Sequence, residues 1–155
     1  MEVLPERIGK VCLTFSTLEL IISCFVSKLI SDDAKIGAIM TAEMSFQNLV
    51  KTFSSLVNLK ISEETEVIKL KQLISDINSI EQERNKIIHS VYVTNNYNKI
   101  FRIKATAKQG KGLKFTNEEV DEDYLKNVIN RIVKVVKELE EIYRRIFNAD
   151  VISYG

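Results

Sequence analysis

From Pro5 to about Ser31, apolar residues recur every three or four positions at Ile8, Val11, Cys12, Phe15, Leu18, Ile22, Phe25, Val26 and Leu29. That spacing is one face of a helix, and Pro5 sits in its first turn. Ser31-Asp32-Asp33 offers an N-cap and negative first-turn charge to a second helix, carried by Ile36, Ile39, Met40, Met44, Leu49, Phe53, Leu56 and Val57. Gly37 and Ser45 interrupt that second pattern. After Asn58-Leu59-Lys60, Ser62-Glu63-Glu64 opens a third helix, with Val67, Leu70, Leu73, Ile74, Ile77, Ile80, Ile87 and Ile88 on its buried side.

Beyond His89 the period changes to two. Val91-Tyr92-Val93 and the run from Lys99 to Thr106 flank Asn95-Asn96-Tyr97-Asn98, which predicts a hairpin. Gln109-Gly110-Lys111-Gly112 reads as a second turn, and Leu113-Lys114-Phe115 as a short third strand. Thr116-Asn117-Glu118-Glu119 has the form of a capping box, so a fourth helix is expected to start near Glu118. In that helix Leu125, Val128, Ile132, Val135, Leu139, Ile142 and Ile146 form a heptad seam. The seam suits antiparallel packing in a bundle, or a dimeric coiled coil. The expected fold class is all-α: an antiparallel four-helix bundle forming a single domain over residues 1–155, with a small β-hairpin insert at about 90–115 between helices three and four.

Composition agrees with a compact helical chain. Of 155 residues, 45% are hydrophobic and 28% charged, with one proline and five glycines. The net charge of +1 gives no whole-protein field for capturing nucleic acid or membrane, so any such affinity has to come from a local patch. Cys12 and Cys24 lie on one helix, too far apart along its axis for a mutual disulfide, and suit a reducing compartment. The run Val11–Ile30 has the length of a membrane span, but Glu19, Lys28 and several Ser and Thr favour a core helix. No basic segment or cleavage site frames it as a signal peptide, so a cytoplasmic location and no membrane partner are expected.

Candidate chemistry concentrates in Glu81-Gln82-Glu83-Arg84-Asn85-Lys86-Ile87-Ile88-His89-Ser90, which holds the only histidine. An arginine, an amide beside it and a histidine five positions on supply a fixed phosphate-binding cation, a hydrogen-bonding orienter and a group that titrates near neutral pH. On an ideal helix Asn85 and His89 share a face, while Arg84 is offset from His89 by about 140° around the axis. That offset favours a site at an interface over a deep one-chain pocket. The same residues also fit plain structural roles: His89 as a helix C-terminal group, Arg84 as an ion-pair partner of Glu81 or Glu83. Lys99, Arg102, Lys104, Lys108, Lys111 and Lys114 place six cations between residues 99 and 114 with no acid among them. With Tyr97 and Phe101 for base stacking, Lys99, Arg102 and Lys104 are the candidate RNA-backbone contacts, or else lysines that guard a sheet edge. No His/Cys cluster has metal-ligand spacing and no glycine-rich phosphate loop follows a strand, so neither a metal nor a cofactor is expected.

The stretch Arg84-Asn85-Lys86-Ile87-Ile88-His89, late in a long helix of a small helical chain, resembles the arginine, polar residue, histidine signature of the HEPN superfamily. Phe15-Ser16-Thr17-Leu18-Glu19 and Gly37-Ala38-Ile39-Met40-Thr41-Ala42-Glu43-Met44 add a looser likeness to bacterial members. The resemblance implies a homodimeric bundle whose two signature helices form one composite cleft. In many members that cleft is a metal-independent endoribonuclease of toxin–antitoxin or phage-defence systems, while others only bind RNA or nucleotides. By this likeness Arg84, Asn85 and His89 are catalytic, RNA is the substrate and an antitoxin protein is a possible partner. The tyrosine that some members carry two residues after the histidine is absent: Val91 stands there and Tyr92 one later. Regulation through that tyrosine therefore does not carry over. A protein-interaction bundle that uses the helix-four seam is the remaining alternative.

Overall fold

The structure, a computed structural model, describes residues 3–97, 99–108 and 112–151. The described chain is mostly helical with a small antiparallel sheet. Its elements are α1 (Val3–Ile30), α2 (Ala34–Thr41), α3 (Phe46–Lys60), α4 (Glu64–Ile88), β1 (Val91–Thr94), β2 (Ile100–Lys108), β3 (Gly112–Glu119) and α5 (Glu122–Phe147). One hydrophobic core is shared by α1, α3, α4 and α5. At one end of that core Phe25 packs against Phe53, Tyr143 and Phe147, with ring centroids 5.0 to 5.5 Å apart. The heptad seam of α5 is consumed inside the chain, since Leu125, Val128, Ile132, Val135, Leu139 and Ile142 are all buried, between α1 and α4.

By length and composition Leu4–Ile30 is apolar enough to cross a membrane. Its stripe from Val11 to Leu29 is buried against the other helices, while Leu13 and Leu20 face outward.

The second expected helix is two. After α2 the chain breaks at Ala42–Ser45, and Ser45 caps α3 by accepting from the Asn48 amide at 3.3 Å. Ile36, Ile39 and Met40, expected in the core, are exposed. Instead α2 turns Gly37 and Thr41 inward. A Cβ at Gly37 would lie 2.7 Å from the Ser27 Cβ, so only glycine lets the α2 backbone approach α1 this closely. The small-residue contact orients α2 more strongly than its apolar residues do.

The insert is a three-stranded meander in the order β1-β2-β3, and its expected short third strand runs on to Glu119 instead of ending near 115. Thr116 and Glu119 do not form a capping box: they pair across the ladder with Lys104 and Phe101. Asp121 is the N-cap of α5, accepting from the Tyr124 amide at 2.7 Å. A run of strand hydrogen bonds outweighs a four-residue local motif. Of the expected turn at 109–112 only Gly112 is among the described residues, with a left-handed φ of 73°. Asn98 of the first turn is likewise outside them.

Candidate active site at the end of α4

The last turns of α4 present Arg84, Asn85 and His89 beside the start of the sheet. The Arg84 guanidinium donates from Nη1 to Asn85 Oδ1 at 3.0 Å, and its Cζ lies 5.0 Å from the centroid of the Phe15 ring. Among the described residues Arg84 has no carboxylate partner, and its Nε is buried without a hydrogen-bond partner. The side chain is therefore held by an aromatic ring and one amide, with its charge unneutralised within the described chain.

The two acids that were structural alternatives for Arg84 do not take it. Glu83 accepts instead from Lys86 Nζ at 2.8 Å and from the Tyr124 hydroxyl at 2.6 Å, and Glu81 forms no ion pair among the described residues. Burial by itself would raise the Glu83 carboxyl. The bonds from Lys86 and Tyr124, with the charges of Lys86 and Arg102, outweigh that effect and hold it below the ordinary glutamate range. The Tyr124 hydroxyl is pushed up to about 12, by burial first and then by its bond to Glu83.

His89 is the C-cap of α4, as one structural reading expected, with its backbone amide bonded to the Asn85 carbonyl at 3.1 Å. Its side chain is exposed, and its ring takes part in no hydrogen bond with a described residue. Asn85 and His89 thus share a face, as the spacing predicts, and the ring is open to an incoming group. Ser90 follows at once and β1 begins at Val91, which anchors the sheet two residues past the histidine. The Tyr92 hydroxyl donates to the Ile87 carbonyl at 2.8 Å and pins β1 to the last turn of α4.

The three expected backbone contacts on the insert part company. Arg102 is only 7% exposed. It forms an ion pair with Glu118, donates to the Tyr124 hydroxyl at 3.0 Å and stacks on the Tyr124 ring. Burial would lower its pKa, yet the Glu118 and Tyr124 bonds leave it raised, so its charge is fixed and internal. Lys99 pairs with Glu119 at 2.9 Å. Lys104 is exposed and has no ion-pair partner among the described residues. A count of cations over 99–114 misses this, because β3 brings Glu118 and Glu119 back across the ladder. Lys111 and the side chain of Lys108 lie outside the described residues.

Two features had no sequence signature. Phe15 reads only as a core position, although its ring is the platform for Arg84. The chain of bonds Lys86–Glu83–Tyr124–Arg102–Glu118 joins α4, α5, β2 and β3 through residues up to 41 positions apart, which no local spacing can reveal. Among the described residues no three His, Cys, Asp or Glu side chains gather as metal ligands. No family model, curated protein or solved structure matches this chain.

Proposed function

We propose that this chain is a HEPN-like, metal-independent endoribonuclease that works as a homodimer, its α1, α3, α4 and α5 being the antiparallel four-helix bundle of that class. The observation that carries the reading is Arg84: a cation fixed on Phe15 and Asn85, without a carboxylate among the described residues, one and a half turns before an exposed histidine. A stationary, unneutralised guanidinium suits a phosphate that gains charge during reaction.

In the proposed reaction His89 takes the proton from a ribose 2′-hydroxyl as the 2′-oxygen attacks phosphorus. The His89 of a second copy gives a proton to the leaving 5′-oxygen. The P–O5′ bond breaks, leaving a 2′,3′-cyclic phosphate and a 5′-hydroxyl, and DNA is spared for want of the nucleophile. Positioned proton transfer contributes about 10² to 10⁴ in rate, and Arg84 adds an electrostatic contribution of similar size. Asn85 orients the guanidinium by accepting from it. Each chain has one histidine, so a two-proton mechanism calls for two copies at one cleft. We assign Lys104, exposed and without an ion-pair partner among the described residues, as a contact that guides RNA, with Lys99 a weaker contributor because of Glu119. We extend the proposal to a cytoplasmic toxin or phage-defence role with an antitoxin partner, on the resemblance alone.

A second reading, a non-cleaving dimer that holds RNA or a nucleotide, is favoured by the His89 ring, which no described residue orients. The two separate in a cleavage assay on total RNA in EDTA. The nuclease reading expects cutting that survives chelation and falls by about 10²-fold or more in Arg84→Ala and His89→Ala. RNA bound but uncut by the folded wild type moves the assignment to the binding module.

A further inference from the structure

The sheet has two unlike faces. Opposed residues of an antiparallel ladder point the same way, so the register gathers Val91, Val93, Phe101, Ile103, Leu113 and Phe115 on one of them. The opposite face carries Tyr92, Arg102, Lys104, Lys114 and Glu118, and it meets the helices through Tyr92 on Ile87 and Arg102 on Tyr124. The apolar face is therefore the outer one. Val91 is 66% exposed, Leu113 61% and Phe115 64%, with Phe101 and Ile103 half-buried between them. The one acid on this face, Glu119, is paired with Lys99.

We propose that this outer sheet face packs against the same face of a second copy of the chain. The placement of the rest of that interface rests on the dimeric reading given above. A contiguous apolar face on a soluble chain marks a contact surface. RNA does not fit it, since phosphates need cations and alternation sends Arg102, Lys104 and Lys114 to the other side. A mainly apolar face, with Asn117 on its β3 edge and Glu119 neutralised by Lys99, complements itself about a two-fold axis without burying an unpaired ion. Its extent, from strand spacing and rise, is roughly 330 Å². A stable interface needs about 800 Å² from each partner, so the sheet supplies less than half. We assign the remainder to the last turn of α4, which His89-Ser90 joins to β1, and in that arrangement the sheet contact sets how the two histidines face each other.

Sedimentation equilibrium on the full chain without RNA tests this. Wild type is expected to be a dimer at micromolar concentration. Leu113→Lys/Phe115→Lys is expected to stay folded, since both side chains are exposed in one copy, and to weaken dimerisation by at least about 30-fold. Ile39→Lys, on the exposed side of α2, is expected to leave the dimer intact. Should the double variant lose its far-ultraviolet circular dichroism, amide exchange of wild-type β3 replaces it: protection that fades on dilution supports the contact, and protection independent of concentration overturns it. A wild type that stays monomeric, or a folded double variant that dimerises like wild type, overturns it. So does a monomer in which the double substitution abolishes RNA binding, which makes the face an RNA platform. A dimer that depends on Phe115 but does not cut RNA leaves this inference standing and removes the nuclease reading.

Discussion

The Tyr124 hydroxyl, in the first turn of α5, donates to Glu83 Oε2 at 2.6 Å and so holds the turn of α4 that carries Arg84. Tyr124 also accepts from Arg102, which makes it the junction between the helices and the sheet.

Removing that junction with Tyr124→Phe is expected to cost about 1 to 3 kcal/mol, the range for a part-buried hydrogen bond to a charged group. Urea unfolding measures it. Amide exchange is expected to quicken first in the last turns of α4 and in β1. Cleavage is expected to fall even where the variant is fully folded, because the last turns of α4, which bear Arg84 and His89, are loosened.

Arg102 and Lys104, two residues apart on one strand, are expected to respond oppositely. Arg102→Ala breaks the bonds to Glu118 and Tyr124 and is expected to lower stability by about 1 to 2 kcal/mol, discounted because Glu118 is 57% exposed. Arg102→Lys is expected to restore little, since one ammonium cannot span both partners. Lys104→Ala is expected to leave stability within about 0.5 kcal/mol and to reduce the salt dependence of RNA binding by about one phosphate contact. Filter binding over a salt series, beside melting curves, separates the two.

Much of this was legible in the sequence. The apolar periods located α1, α4 and α5 to within a few residues, because each buries a long stripe whose period survives local irregularities. The α5 seam was equally readable, and the cap of α2 fell within the expected Ser31-Asp32-Asp33, at Asp33, with no acid left for the first turn. The break at Ala42–Ser45 was marked by Ser45, but the outward turn of Ile36, Ile39 and Met40 was not, since it depends on how Gly37 meets Ser27. The polar half of β3 has no apolar alternation and exists through pairing with β2. The placement of Arg84, Asn85 and His89 at the end of one helix, with Asn85 and His89 a turn apart, followed from spacing. The fate of the acids around them did not, because Tyr124 and Lys86 decide it.

Stability is expected to fall in acid partly through Glu66. This buried carboxylate accepts from Arg145 Nε at 2.8 Å and from Nη2 at 3.1 Å. The Arg145 hydrogen bonds hold its pKa below the usual glutamate range, against the opposing effect of burial. A depressed folded pKa gives stability that is complete above the unfolded value of about 4.3 and is lost as pH falls through the folded one. Glu66→Gln is expected to destabilise the chain by about 1 to 2 kcal/mol at neutral pH and to flatten its stability profile below about pH 5. Denaturant titrations between pH 3 and pH 7 check both.

Val135→Glu is expected to unfold the chain, not to dissociate an assembly. Val135 is 3% exposed within one copy, and a carboxylate there has no partner. Circular dichroism of the purified variant distinguishes the two, and a folded but dissociated variant would return the α5 seam to an intermolecular role.

The central claim is attack by the ribose 2′-oxygen, with Arg84 and His89 as the acting groups. Its most direct measurement is the end chemistry of fragments that the wild-type protein cuts from RNA in EDTA, against Arg84→Ala and His89→Ala. The account predicts 2′,3′-cyclic phosphate and 5′-hydroxyl ends, absent in both variants and absent where the scissile ribose is 2′-deoxy. Fragments with 5′-phosphate ends, or cutting that persists in either variant, would contradict it.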